Sequence, residues 1–130
     1  MSLVVDTSIV IAVLTNEKSK DKLIRATKGE ELLAPSSLHW EMGNAFSAMF
    51  RRKRITLKLA KQAMNYYSTI PLRFQEVDIF KALEIAYNYS IYAYDAYFLE
   101  CSRRNNSALI TLDESLKIIA KKMKIKVIEV

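Results

Sequence analysis

Apolar positions in this chain fall into short continuous runs separated by longer amphipathic stretches. Leu3 to Val5 is wholly apolar, as a strand buried on both faces must be, and Asp6-Thr7-Ser8 follows with residue types that cap helices. Ile9 to Leu14 is rich in β-branched side chains, but the caps before it and the polar stretch Thr15 to Asp21 after it predict a short helix. A charged helix is expected over Glu17 to Lys28, with Gly29 where a left-handed C-terminal cap is needed. Leu32 to Ala34 reads as a second strand.

Pro35-Ser36-Ser37 then opens a long helix in which Leu38, Met42, Ala45, Phe46, Met49 and Phe50 recur at three- and four-residue steps. That stripe is wider than one core face needs, so part of it is expected to bind a partner helix or a second subunit. The basic run Arg51 to Arg54 ends the helix. Thr56 caps another, with Leu57, Ala60, Ala63, Met64 and Tyr67 on one side, and Pro71 stops it, which predicts a helical hairpin. Beyond it the pattern gives a weak strand at Phe74 to Val77 and helices at Ile79 to Asn88 and Ala93 to Arg104. A clearer strand at Ala108 to Thr111, a helix at Glu114 to Lys122 and a terminal strand at Lys126 to Val130 complete the reading. Helices alternating with short apolar strands predict an α/β fold with a central parallel sheet of about five short strands, covered on both faces.

Composition narrows the chemistry. The 130 residues contain no repeat, low-complexity tract or linker, so residues 1–130 are expected to form a single domain. One cysteine, Cys101, allows neither an internal disulfide nor a cysteine zinc cluster and fits a reducing cytosol. One histidine, His39, excludes a paired-histidine acid/base mechanism within the chain. Two glycines cannot build a phosphate-cradling loop, so no nucleotide cofactor is expected. The longest strongly apolar run, Ile9 to Leu14, is far below the ~20 residues of a membrane helix. Met1 to Val5 lacks the positive region of a signal peptide, and a cytoplasmic protein without membrane association is expected.

Parallel strands place their strand-to-helix turns at one edge of the sheet, where ligand sites form. Asp6 ends the first strand, and Asp113 lies two residues after Thr111 on the same rim. Glu41 sits about one turn into the helix after the second strand, and Asp95 in the opening turn of the helix after Tyr92. Each has an ordinary reading: Asp6 and Asp113 as helix caps, Glu41 and Asp95 as exposed helical residues or ion-pair partners. Only five Asp are present, however, and three of them fall on this rim. Four anions gathered there would repel, and some would take up protons unless a cation joined them. All-oxygen ligation suits Mg²⁺ or Mn²⁺, which can acidify a bound water and stabilise charge on a phosphoryl oxygen.

Val4-Val5-Asp6-Thr7-Ser8, Glu41 in the helix after Pro35-Ser36-Ser37, Tyr94-Asp95-Ala96 and Leu109-Ile110-Thr111-Leu112-Asp113 together resemble PIN-domain nucleases, specifically VapC-type toxins of type II toxin-antitoxin systems. The resemblance spans nearly the whole chain. It implies a three-layer α/β/α sandwich and a Mg²⁺- or Mn²⁺-dependent endoribonuclease that hydrolyses RNA phosphodiesters with metal-activated water, leaving a 5′-phosphate and a 3′-hydroxyl. Carried over residue by residue, Asp6, Glu41, Asp95 and Asp113 become the catalytic acids and metal ligands, with Ser8 and Thr111 supporting them. Capping and turn hydrogen bonds are the ordinary reading of those two hydroxyls. An antitoxin protein and a second copy of the chain are the implied partners.

The net charge of +6 modestly favours a polyanionic substrate, since setting the four acids aside leaves 20 basic against 10 acidic residues. Arg51-Arg52-Lys53-Arg54 can contact phosphates, although a solvated helix end is the expected reading. Tyr87, Tyr89, Tyr92, Tyr94 and Tyr97 can stack on bases, with core or subunit packing the expected use. Trp40 and Cys101 are read as packing residues. His39, two positions from Glu41, belongs to another helix face and is not expected to be a ligand. The alternatives are an RNA-maturation nuclease on the same fold, a phosphoacceptor domain, which needs a further acceptor Asp near mid-chain where this chain has Arg51 to Arg54, and a non-catalytic RNA-binding module in which the acids only cap helices.

Overall fold

A computed structural model describes all residues 1–130. Four parallel strands form the sheet: β1 (Ser2–Val5), β2 (Glu31–Pro35), β3 (Leu72–Gln75) and β4 (Ala108–Ile110), in the order β3-β2-β1-β4. Helices α1 (Thr7–Leu14), α2 (Lys20–Thr27), α3 (Leu38–Arg51), α4 (Leu57–Tyr67), α5 (Ile79–Tyr89), α6 (Ala93–Arg104) and α7 (Glu114–Lys122) flank it. The predicted α/β class with a parallel sheet holds. None of the helices is long and apolar enough to cross a membrane.

Burial follows the run pattern of the sequence. Leu3, Val4 and Val5 are buried, as are all three residues of β4, because β1 is paired on both sides and covered by helices. Helix α6 lies against β1, β2 and β4, placing Ala96, Phe98 and Leu99 in the core, and α5 packs along α6. Leu38, Met42 and Phe46 of α3 are buried, so the inner part of the predicted stripe is core. At the far end of the hairpin the Tyr67 hydroxyl lies 3.0 Å from His39 Nδ1, tying the end of α4 to the start of α3.

Most boundaries differ from the sequence reading by a residue or two, and three departures have a clear physical cause. Helix α2 starts at Lys20 rather than Glu17, because Asn16 adopts a left-handed φ of 58° and the Glu17 N–H turns back to the Ala12 carbonyl, closing α1 instead. Strand β3 spans Leu72–Gln75 rather than Phe74 to Val77. It begins directly after Pro71, in register with Leu32 to Pro35, and its Phe74 ring lies against His39 of α3 at a centroid distance of 4.2 Å. Lys126 to Val130 does not form a fifth strand. Only Val127 bridges Leu109, whose N–H donates to the Lys126 carbonyl and whose carbonyl accepts from Ile128 N–H, and the pairing goes no further along β4. The left-handed turn at Gly29, φ 79°, is as expected.

Candidate active site

The pairing of β1 with β4 brings Val5 opposite Ile110, so the next residues of each strand, Asp6 and Thr111, leave the sheet side by side. Asp6 caps α1: its Oδ1 accepts from the Ile9 N–H at 3.3 Å and from the Ser8 hydroxyl at 2.6 Å. Its Oδ2 accepts from the Thr111 hydroxyl. Both hydroxyls are held in turn by backbone. Leu112 N–H donates to Ser8 Oγ at 2.9 Å, and Asp113 N–H donates to Thr111 Oγ1 at 3.0 Å. The loop carrying Asp113 is thereby fastened to the end of β1, and Asp113 itself caps α7 by accepting from Ser115 and Leu116 N–H.

Glu41 lies in the first turn of α3, where the positive end of the helix dipole favours an acid. The Thr7 hydroxyl donates to its Oε1 and the Ser37 hydroxyl to its Oε2, each at 3.2 Å. Asp95 occupies the same place in α6. Four elements therefore deliver four carboxylates to the carboxyl edge of the sheet. None of them forms an ion pair with Lys or Arg.

Burial without a counter-charge raises the proton affinity of Asp6, Glu41 and Asp95. Asp6 is pushed up mainly by burial, with the Asp113 charge adding and the bonds from Ser8, Thr111 and Ile9 opposing. Burial pushes Glu41 up to about 7 against the bonds from Thr7 and Ser37, and the charges of Asp95 and Asp6 contribute. Asp95 is raised by burial and then by Asp113. The carboxylates sense one another, yet no three His, Cys, Asp or Glu side chains are drawn together tightly enough to enclose a cation as they stand. The donor set itself, four carboxylates without imidazole or thiolate, matches a hard dication such as Mg²⁺ or Mn²⁺.

Thr7 and Ser37 were not among the residues singled out from sequence. Ser37 is legible in retrospect, standing four residues before Glu41 on the same helix face. Trp40 is not a packing residue: it is 75% exposed. Among the tyrosines, core packing fails for Tyr87, Tyr92 and Tyr94, all exposed, because their helix faces have no neighbouring element over them. Cys101 is buried as expected, and Arg51 to Arg54 are exposed and unpaired.

No curated protein sequence matches the chain. Its fold is similar to that of PAE2754 from Pyrobaculum aerophilum, with a TM-score of 0.74 and 20% identity over 98% of this chain and 83% of that one. VapBC2 from Rickettsia felis, solved bound to a DNA fragment from its promoter, matches with a TM-score of 0.72 and 14% identity over 98% of both chains. VapC20 of Mycobacterium tuberculosis, described as a sarcin-ricin loop cleaving toxin, matches with a TM-score of 0.63 and 15% identity over 89% of this chain and 93% of that one. The PIN domain family model matches residues 3–122. The acids at the ends of β1 and β4, and in the first turns of α3 and α6, thus stand within a chain that belongs to the PIN domain family.

Proposed function

We propose that this protein is a divalent-metal-dependent endoribonuclease, the toxin of a toxin-antitoxin pair. The observation that carries this is the set of four carboxylates on one sheet edge, three of them with raised proton affinity and none neutralised by a basic side chain. Acids serving only as caps explain Asp6 and Asp113 but not Glu41 and Asp95, which cap nothing and are partly desolvated. Mg²⁺ or Mn²⁺ held by Asp6, Glu41, Asp95 and Asp113 would supply Lewis-acid polarisation of a phosphoryl oxygen and acidify a water.

The chain's own groups do the rest. Ser8 and Thr111 fix both oxygens of Asp6, and Thr7 and Ser37 fix both oxygens of Glu41. Burial pushes the Glu41 carboxyl up to about 7 in the metal-free protein, and a dication bound beside it would hold it ionised as a ligand. The basic surplus attracts RNA toward an otherwise anionic rim.

VapBC2 and VapC20, alike in fold, support the toxin reading and an antitoxin partner. The exposed stripe Phe80, Leu83 and Tyr87 along α5 supports a homodimer, which sedimentation would show as twice the 15.0 kDa mass of the chain. We infer a cytoplasmic site of action from the proposed RNA substrate. Incubating RNA with the purified protein plus Mg²⁺, Mn²⁺ or EDTA tests the activity. Cleavage is expected with either metal and is lost with EDTA and in folded Asp6→Asn and Asp95→Asn proteins. Cleavage that survives in both variants contradicts the assignment.

A further inference from the structure

Beside Glu41 opens a cavity of about 560 Å³ lined by Thr7, Trp40, Glu41, Asn44, Ala45 and Tyr94. Its size falls in the ~300–1,000 Å³ range of small-ligand sites. Two features of its wall set its chemistry. First, it contains no Lys or Arg, so a phosphate entering it would meet no cation. Second, it presents two aromatic rings from different helices, Trp40 of α3 at 75% exposure and Tyr94 of α6 at 53%. Rings of this size are normally buried in the core of a single chain, and here both stand open to solvent beside the carboxylates. Tyr94 is met edge-on by Tyr97 at a centroid distance of 5.9 Å and 88°, which leaves a face of its ring open. Asn44, one turn beyond Glu41, adds an amide donor and acceptor to the same wall.

We propose that this cavity is a nucleobase subsite, in which a base next to the cleaved phosphate stacks on Trp40 and Tyr94 with its edge toward Asn44. The proposal rests on the ribonuclease reading of the adjoining carboxylates. Single-stranded RNA is recognised in this way, by unstacked bases laid on aromatic faces and hydrogen-bonded along their edges. A flat, uncharged ligand suits a wall of rings and amide, while the neighbouring acid rim with its cation takes the phosphate. The cavity would therefore set which residue in the RNA is cut beside, without taking part in the bond change.

Trp40 is the only tryptophan, so fluorescence excited at the red edge of the indole band, where the seven tyrosines do not absorb, reports on this ring. The wild-type protein is titrated in Mg²⁺ with a short single-stranded RNA carrying non-hydrolysable phosphorothioate linkages and with an abasic oligomer of the same linkages, length and charge. Saturable quenching by the RNA, and far less by the abasic oligomer, is expected. Tyr94→Ala should weaken RNA binding roughly 5- to 150-fold, and Tyr94→Phe should restore it. Equal quenching by both oligomers, no quenching by either, or unchanged affinity in a folded Tyr94→Ala protein overturns the proposal and assigns the rings to a protein contact. The nuclease reading is judged separately by cleavage in the wild type: base-dependent quenching without cleavage keeps the subsite and removes the nuclease, whereas cleavage without quenching does the reverse.

Discussion

The Thr111 hydroxyl donates to Asp6 Oδ2 while accepting the Asp113 N–H, so one buried side chain sets the spacing of two carboxylates from different strands. A threonine is well suited to this, because its β-branch fits the end of a strand and its single hydroxyl both donates and accepts. Ser8 makes the complementary link on the other oxygen of Asp6. Asp6 and the Asp113 loop therefore share one polar network, while Glu41 is held apart from it by Thr7 and Ser37.

Thr111→Val keeps the shape and removes that link, leaving an Asp6 oxygen and the Asp113 N–H each short of a partner. A loss of roughly 1–3 kcal/mol in unfolding free energy is expected from urea denaturation. Thr111→Ser, which retains the hydroxyl, should recover most of it. Equal stability of the valine variant and the wild type would show that the network is not structural.

Stability should also depend on pH in metal-free solution. Glu41 binds its proton more tightly folded than unfolded, with its carboxyl pushed from the ordinary 4.5 up to about 7. Its contribution is therefore fully present below about 4.5 and lost as pH rises through about 7. Asp6 and Asp95 act with the same sign. Thermal melts in EDTA should show Tm falling across this window, with a smaller fall in Glu41→Gln. A variant that keeps the full wild-type slope contradicts the assignment.

Cys101 should be inert in the native protein. Burial, with the Glu100 charge adding, pushes its thiol up to about 12, so almost no thiolate is present at pH 8. A thiol reagent should titrate none in buffer and one per chain in denaturant. Rapid reaction without denaturant would show an open α6.

Much of this architecture was legible in the sequence. Wholly apolar runs followed by capping residues located β1 and β4, and parallel topology then placed Asp6 and Asp113 on one rim without further information. Gly29 was readable because a left-handed turn leaves a compositional mark. Asn16 carries the same mark more faintly, and missing it extended α2 backward by three residues. Lys126 to Val130 has the composition of a strand, yet it meets β4 only at Leu109, a contact set by packing that its own sequence does not carry. Exposure of Trp40 and Tyr94 was hidden for a related reason: helical periodicity gives the faces of a helix but not which of them a distant element covers. The hydroxyls on Glu41 divide in the same way, Ser37 readable from its spacing and Thr7 only from the packing of α1 beside α3.

The account stands on four carboxylates serving one hard cation, and Mn²⁺ binding followed by titration calorimetry tests that most directly. Wild-type protein should bind Mn²⁺, and Asp6→Asn, Glu41→Gln, Asp95→Asn and Asp113→Asn should each weaken it. Glu84→Gln, an exposed acid on α5, should leave it unchanged. Undiminished Mn²⁺ binding in all four folded rim variants would contradict the claim.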